Sequence, residues 1–454
     1  MREVELLVIG GGAAGMAAAV SAYDSGVRDI LIIERNPALG GVLQQCIHNG
    51  FGLHRFKEDL TGVEFAAKYV DMVKERNIPC LLGTFVISLS PDRTVTAVSP
   101  EEGLMHIRAG SIVLAMGCRE RSRNALLIPG TRGAGIMTAG TAQKWLNLNG
   151  YLPGKKIVIV GSGDIGLIMA RQFVLEGCSV EAVVEIMPFS GGLPRNMKQC
   201  IEDFGIPVYY SSVISEVRGK ERVTSVLVGK VDEKRRLIPG TEFEIPCDTL
   251  MISAGLIPEN ELTQQAGIEM DPATKGALVT EDLQTSIPGV FSCGNVLHVH
   301  DLVDYVSEEA EDAGRNAAKW LREQRPQGGA AGDAADAVAG KAADAAGAAV
   351  AVAGAAPGIA AGADAYLRAV SGPGAGGIVP QLVRKHTGFE TVSFLFRPRF
   401  RSRDAYVVAK AGDEVLYRRK YPAVTPGEMC RVDLPGSKLP ESGTLEFSIE
   451  GVPV

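Results

Sequence analysis

No two of the eight cysteines stand in a C-x-x-C pair. That absence removes the ligand spacing of zinc ribbons and iron–sulfur runs, and the dithiol of the thioredoxin kind. Positive charge is short as well: 46 Lys and Arg face 53 Asp and Glu, giving a net charge of −7. Nothing in that balance draws the chain to nucleic acid or to an anionic lipid surface. The opening MREVELLVIG lacks the basic start, apolar stretch and small-residue cleavage site of an export signal. The expected compartment is the cytoplasm, where the cysteines stay reduced. Residues 345 to 363 are uncharged and long enough to raise the question of a membrane span, but alanine and glycine bury weakly. Pro357 and four glycines interrupt any helix there, so no span is expected.

What the 454 residues do contain is 46% hydrophobic positions against 22% charged, enough for two to four domains with cores of their own. ELLVIG, GGAAGMAAAVSAYDSG and DILIIER read as buried strand, small-residue helix and buried strand: one βαβ unit within residues 1 to 35. KKIVIVG, SGDIGLIMARQFVLEG and SVEAVVE repeat the plan at 155 to 185. From Arg325 to Gly377 the composition collapses into Ala, Gly, Asp and Pro, which cannot build a core and reads as a linker. Short strand-like runs between turn residues follow, so 378 to 454 is expected to be a small all-β domain. In it, FLFRPRFRSRD places Arg397, Arg399, Arg401 and Arg403 at period two, on one face of an extended strand with Phe396 and Phe400 on the other. Pro398 makes that an edge or irregular strand. The stripe is either a docking face for an acidic partner or a solvated face.

Gly10, Gly12 and Gly15 fit G-x-G-x-x-G directly after a strand. The first glycine makes the turn, the second admits a pyrophosphate to the helix N-terminus and the third lets helix pack on strand. Gly161, Gly163 and Gly166 repeat the motif. In both copies a carboxylate follows 24 residues after the first glycine: Glu34 and Glu185. Glu34 is placed to accept hydrogen bonds from both hydroxyls of an adenosine ribose. Glu185 would repel a 2′-phosphate and so favour NADH over NADPH, or it only caps its strand.

With these motifs in register, the chain resembles flavoproteins with two dinucleotide-binding domains, the pyridine-nucleotide-dependent group that includes thioredoxin reductase and the disulfide reductases. The resemblance covers about residues 1 to 323. It rests further on Glu34-Arg35 followed by LGG at 39 to 41, on the crossovers SIVLAMGCRER and ISAGLIPEN, and on TSIPGVFSCGN at 285 to 295. Where the family usually ends that last motif with Gly-Asp, this chain has Gly294-Asn295, whose amide can still hydrogen-bond a hydroxyl. More narrowly, GGVLQQCIHNGFGLH, MGCRERSR, GSGDIGLIMARQ and CGNVLHVHDLVDYVSEEAE resemble FAD-dependent oxidoreductases that accompany anaerobic glycerol-3-phosphate dehydrogenase subunits. The nucleotide-binding chains of opine oxidases and cyanide synthases are more distantly similar.

The resemblance implies an α/β chain of two Rossmann-like domains: an FAD domain at 1–120 and 275–324 and an NAD(H) domain at 121–274. It implies FAD and NAD(H) as cofactors, held by Gly10, Gly12, Ala14, Gly15, Glu34, Arg35, Gly41, Val86, Ala115, Gly117, Gly294 and Asn295 in the first site. Gly161, Gly163, Asp164, Ile165, Gly166 and Glu185 hold the second. Implied partners are NADH, an undetermined second acceptor, further copies of the chain and a partner dehydrogenase subunit.

The resemblance also runs residues 41 to 48 along the flavin and leads 294 to 306 into a helix facing its pyrimidine edge. Cys46 lies close to where disulfide reductases carry a cysteine pair, but there is no second cysteine four residues away. It either cycles alone through sulfenic acid, as an NADH oxidase or peroxidase would require, or lines the flavin pocket. Of six histidines, His48, His298 and His300 fall in the flanking segments. They would transfer protons, bind the acceptor or make structural hydrogen bonds. The H-x-H spacing without a nearby third ligand type argues against a metal. The expected activity is hydride transfer between NAD(H) and flavin N5, with electrons exchanged at a second acceptor or partner dehydrogenase. The bland alternative is a non-catalytic component whose nucleotides serve assembly.

Overall fold

The computed structural model describes residues 1–325, 366–385 and 387–453. Residues 345 to 363 and most of the expected linker lie outside them. The strand Arg2–Ile9 is central to the first sheet, flanked in parallel by Ile30–Ile33 and by Gly103–Leu114. Cys80–Leu81 extends the sheet beyond Ile30–Ile33, and Val290–Ser292 adds to the C-terminal half of Gly103–Leu114, also in parallel. The N-terminal half of that long strand turns instead into an antiparallel meander with Thr94–Ser99 and Phe85–Leu89.

The helix Ala13–Asp24 is poor in bulky residues for a packing reason. Ala17, Ala18, Ala19 and Ala22 are fully buried between the sheet and the helix Val303–Gln324, whose facing residues include Ala310, Ala313, Gly314 and Ala317. A Cβ on Gly314 would lie 2.2 Å from the Ala18 carbonyl oxygen, so the backbones touch. The buried carboxylate of Asp304, near the start of that second helix, accepts the backbone N–H groups of Gly52, His54 and Arg55 and so pins the loop after Gly50.

The second domain carries a five-stranded parallel sheet in the order Ile136–Thr138, Thr249–Ile252, Lys156–Val160, Ser179–Val184, Val208–Tyr209. A three-stranded antiparallel sheet from Ser212 to Pro246 backs it. The two chain crossings, Cys118–Glu120 and Leu256–Pro258, pair with each other as an antiparallel ribbon. The return to the first domain comes there, earlier than the expected boundary at 274: Ala266 and Ile268 already belong to the first domain's core.

The C-terminal domain corrects the sequence reading in three ways. Its strand Tyr366–Ser371 falls inside the stretch assigned to the linker and Ala375–Val379 begins there, because a few apolar residues amid glycines suffice once both sheets cover them. The arginine stripe is not one strand face. Arg397 belongs to Thr391–Pro398, Arg403 to Ser402–Ala411, and the chain turns between them. Thr391–Pro398 is the central strand of a three-stranded sheet, not an edge, and it tolerates Pro398 because the proline sits at its end.

Nor does this domain hang free. Val379 joins the first domain's core, Gln381 Oε1 accepts the Val279 N–H at 3.0 Å, and the Leu382 N–H donates to the Val279 carbonyl. Arg384 pairs with Asp282 at 2.9 Å and with Glu281 at 3.5 Å. The same domain reaches the second domain, where the Arg401 guanidinium lies 5.1 Å from the Phe189 ring centroid. Among the described residues no helix is long and apolar enough to cross a membrane.

Candidate functional site

The two glycine turns are built alike. Gly10 has φ 109°, and a Cβ on it would lie 2.3 Å from the Ala115 carbonyl oxygen; one on Gly15 would lie 1.8 Å from the Gly10 carbonyl oxygen. In the second copy Gly161 (φ 93°) meets the Ser253 carbonyl oxygen at 2.2 Å and Gly166 meets the Gly161 carbonyl oxygen at 2.9 Å. These four glycines are required by the chain's own packing. The middle ones are not. A Cβ on Gly12 would meet only the Gly41 Cα, at 3.9 Å, and one on Gly163 nothing within 4 Å. Both cap helix N-termini, Ala13–Asp24 and Asp164–Leu175, where free N–H groups and the helix dipole favour phosphate. The donors and the open backbone fit a pyrophosphate in each domain.

The acids repeat as closely. The Gly11 N–H donates to Glu34 Oε2 at 2.8 Å and the Asn36 N–H to Oε1 at 2.7 Å. The Ser162 N–H donates to Glu185 Oε2 at 2.8 Å and the Met187 N–H to Oε1 at 2.8 Å, with the Ser162 hydroxyl adding a third bond. Each carboxylate therefore ties its glycine turn to the end of the following strand. Lone pairs remain on both, but of the two only Glu34 lines the large cavity.

That space is a cavity of about 1690 Å³ joining both turns. Gly10, Gly12, Ala14, Glu34, Arg35, Gly41, Val86, Ala115, Gly117 and Asn295 line it from the first domain, and Gly163, Asp164 and Ile165 from the second. Cys46, His48 and His300 line it too, whereas Gly15, Gly161, Gly166, Glu185, Gly294 and His298 do not.

Cys46 is buried, its thiol 3.4 Å from the Val42 carbonyl oxygen and 3.9 Å from Gln143 Oε1. Burial pushes that thiol up to about 12, so at neutral pH it is a thiol and not a nucleophilic thiolate. Accordingly, native Cys46 should resist iodoacetamide at pH 8 and react only after denaturation, as read by peptide mapping. Fast native labelling would restore the lone-cysteine mechanism.

Behind the wall, His298 Nε2 lies 2.6 Å from Glu309 Oε2, and Glu309 Oε1 accepts the Gly294 N–H at 2.7 Å. Burial drives the Glu309 carboxyl up, but His298 and His300 outweigh it and hold it well below the usual carboxylate range. Burial also holds His298 below the ordinary histidine value, which makes it a neutral Nε2–H donor to a Glu309 anion. Asn295 Oδ1 accepts the His300 backbone N–H at 3.0 Å and lies 3.3 Å from the ring Nδ1, which orients the imidazole at the cavity wall. The helix thus supplies the third ligand type that H-x-H lacked in sequence, and the three groups lie within 4.8 Å of one another. Glu309 is nonetheless already engaged with Gly294 and His298.

Arg195, which the sequence did not single out, and Arg397, read there only as part of a stripe, also line the cavity. Arg195 approaches from the second domain, its guanidinium near Gly50. Burial, with Arg195 adding to it, holds His48 below the ordinary histidine value. Arg397 arrives from the C-terminal domain, donating to the Val299 and Pro426 carbonyls, each at 3.0 Å. No motif signals a place at the cavity for either residue, because each comes from an element far along the chain from the first glycine turn.

The sequence model of the pyridine nucleotide-disulphide oxidoreductases matches residues 4–317. A component of the opine oxidase of Agrobacterium tumefaciens (strain Ach5) is 27% identical over 333 residues, covering 69% of this chain and 64% of that protein. The HcnB component of the hydrogen cyanide synthase of Pseudomonas protegens is 26% identical over 343 residues, 70% of each. The crystal structure of T. acidophilum thioredoxin reductase superposes with a TM-score of 0.57 at 22% identity, over 71% of this chain and 99% of that one. It shares the fold of the two nucleotide domains.

Proposed function

Because the chain belongs to the pyridine nucleotide-disulphide oxidoreductase family, whose members are FAD-dependent NAD(P)H oxidoreductases, we propose that it oxidises NADH and passes the electrons to a second substrate or a partner protein. One observation carries this reading: a single cavity connects two glycine turns, each with a middle glycine whose open space the chain does not use. FAD bound there would supply the redox chemistry. The chain's residues do the rest. Gly12 and the helix behind it hold the flavin's pyrophosphate, Glu34 accepts from the adenosine ribose, and Asn295 and His300 border the ring. Gly163, Asp164 and Ile165 receive the nicotinamide dinucleotide, and Glu185, held behind that turn by Ser162 and outside the cavity wall, acts against a 2′-phosphate through its charge alone.

No dithiol spacing exists to carry electrons within the chain, so they leave from the flavin. Two relatives are named as subunits of larger enzymes, an opine oxidase and a hydrogen cyanide synthase, which supports a dehydrogenase as the partner. A glycerol-3-phosphate dehydrogenase-like partner is the narrower form of that reading. The raised Cys46 thiol weighs against a self-contained NADH peroxidase.

The test is spectroscopic. Purified protein should be yellow, should release FAD and not FMN on denaturation, and should bleach near 450 nm with NADH faster than with NADPH under anaerobic conditions. Glu185→Ala should narrow the gap. A flavin that neither nucleotide bleaches would leave only the non-catalytic reading.

A further inference from the structure

Three domains contribute charged groups to the wall of the cavity, where the carboxylates of Asp164 and Asp301 also stand. Arg397 reaches in from the C-terminal domain, Arg195 from the second domain and His48 from the first. Among the described residues Arg397 donates to the backbone carbonyls of Val299 and Pro426, and Asp301 stands 3.9 Å away, at ion-pair distance but beyond a hydrogen bond. Asp301 uses its other oxygen to accept the Met429 N–H at 3.2 Å. The two carbonyls fix the guanidinium in place and leave other N–H groups free toward the cavity. Desolvation holds the Arg397 guanidinium below its ordinary value, against the opposing pull of the Asp301 and Asp164 carboxylates.

We propose that Arg397 is a substrate anchor, an oxyanion-binding residue that the C-terminal domain contributes to the flavin cavity and that selects a second substrate bearing a carboxylate or phosphate group. A guanidinium oriented by two carbonyls offers a planar pair of donors, the geometry that binds such oxyanions bidentately. Its partner would sit beside His300, against the Val299 segment that runs on from Asn295. Position explains the C-terminal domain's double docking: it must touch both nucleotide domains for one of its side chains to reach the space between them. Arg195 stands nearer the second glycine turn and is left to the nicotinamide dinucleotide.

This inference rests on the proposed flavin function, and its test separates the two. In the wild-type holoprotein, NADH bleaching reports on the flavin reading alone. Titration of the oxidised holoprotein with sodium malonate and, separately, with inorganic phosphate at constant ionic strength reports on the anchor, by calorimetry and by the visible flavin spectrum. At least one anion should bind saturably, and the tighter of the two names the oxyanion class. Arg397→Met should weaken that binding at least tenfold, with Arg397→Lys recovering part of it and the exposed Arg403→Met leaving it unchanged. FAD content and melting temperature, measured for every variant, separate loss of the anchor from loss of the fold. No saturable binding in the wild type, or equal binding in Arg397→Met, overturns the proposal even if NADH still bleaches the flavin. A variant whose NADH affinity falls while anion affinity holds also overturns it, by giving the arginine to the nucleotide.

Discussion

Arg384→Met should lower stability by about 2–3 kcal/mol, somewhat under the 3–5 kcal/mol typical of breaking a wholly buried pair, because the arginine is partly in solvent. The reason lies with its partner. The Glu281 side chain is only 2% exposed and sits next to Asp282, so removing the guanidinium leaves two neighbouring carboxylates facing an uncompensated site. Glu281 keeps one bond, from the Arg384 backbone N–H at 3.1 Å, which survives the substitution and limits the loss. A chain of this size, unfolding as one unit, should then melt about 2–3 °C lower, at ~1 °C per kcal/mol. The double variant Glu281→Gln, Arg384→Met should recover part of the loss, since the neutral amide still accepts from that N–H and only the less buried Asp282 keeps an unpaired charge. Equal melting temperatures for wild type and Arg384→Met would show that Val379 and its apolar neighbours alone hold the C-terminal domain in place.

That domain marks the limit of what the sequence made legible. The nucleotide turns could be read because their function constrains a short local segment: Gly10 and Gly15 must be glycine for steric reasons, and strand, helix and acid follow at fixed spacing. The second copy doubled the signal. Even there the reading was partial, since Glu34 and Glu185 look alike in sequence while only Glu34 faces the cavity. Arg397 could not be read at all. Its period-two neighbours suggested an outward stripe, yet the chain turns after Pro398, and what decides its role is a docking contact with Val299 nearly a hundred residues away. Glu309 failed for a related reason: it lies on a helix whose acids look like a solvated face until Gly294 and His298 are seen to point at one of them.

Glu309→Ala should cost the protein its flavin. The substitution leaves the Gly294 N–H and the His298 Nε2–H buried with no acceptor, at about 1–3 kcal/mol for each. Gly294 adjoins the first glycine turn: with φ 72°, a Cβ on it would lie 2.8 Å from the Ala14 Cβ. Slack at Gly294 is therefore slack at the pyrophosphate site, and FAD retention through gel filtration should fall at least tenfold, whereas Glu309→Gln keeps a carbonyl for the Gly294 N–H and should fall less. The same cluster sets a pH dependence. His298 and His48 are held below their ordinary value, so the unfolded chain takes up protons that the folded chain refuses. Their contribution to stability is fully present above about pH 6.5 and is lost as pH falls from there, by at most ~1.4 kcal/mol per pH unit for each histidine. The Glu309 carboxyl is held low, so its share persists through that window and is lost only in stronger acid, below the usual carboxylate range. Melting temperature should accordingly decline between pH 6.5 and 5.5, and more shallowly in His298→Asn. A wild-type curve flat across that interval would mean that both imidazoles take up protons in the folded protein, and that the Glu309 anion is paired with a cation instead of accepting from a neutral ring.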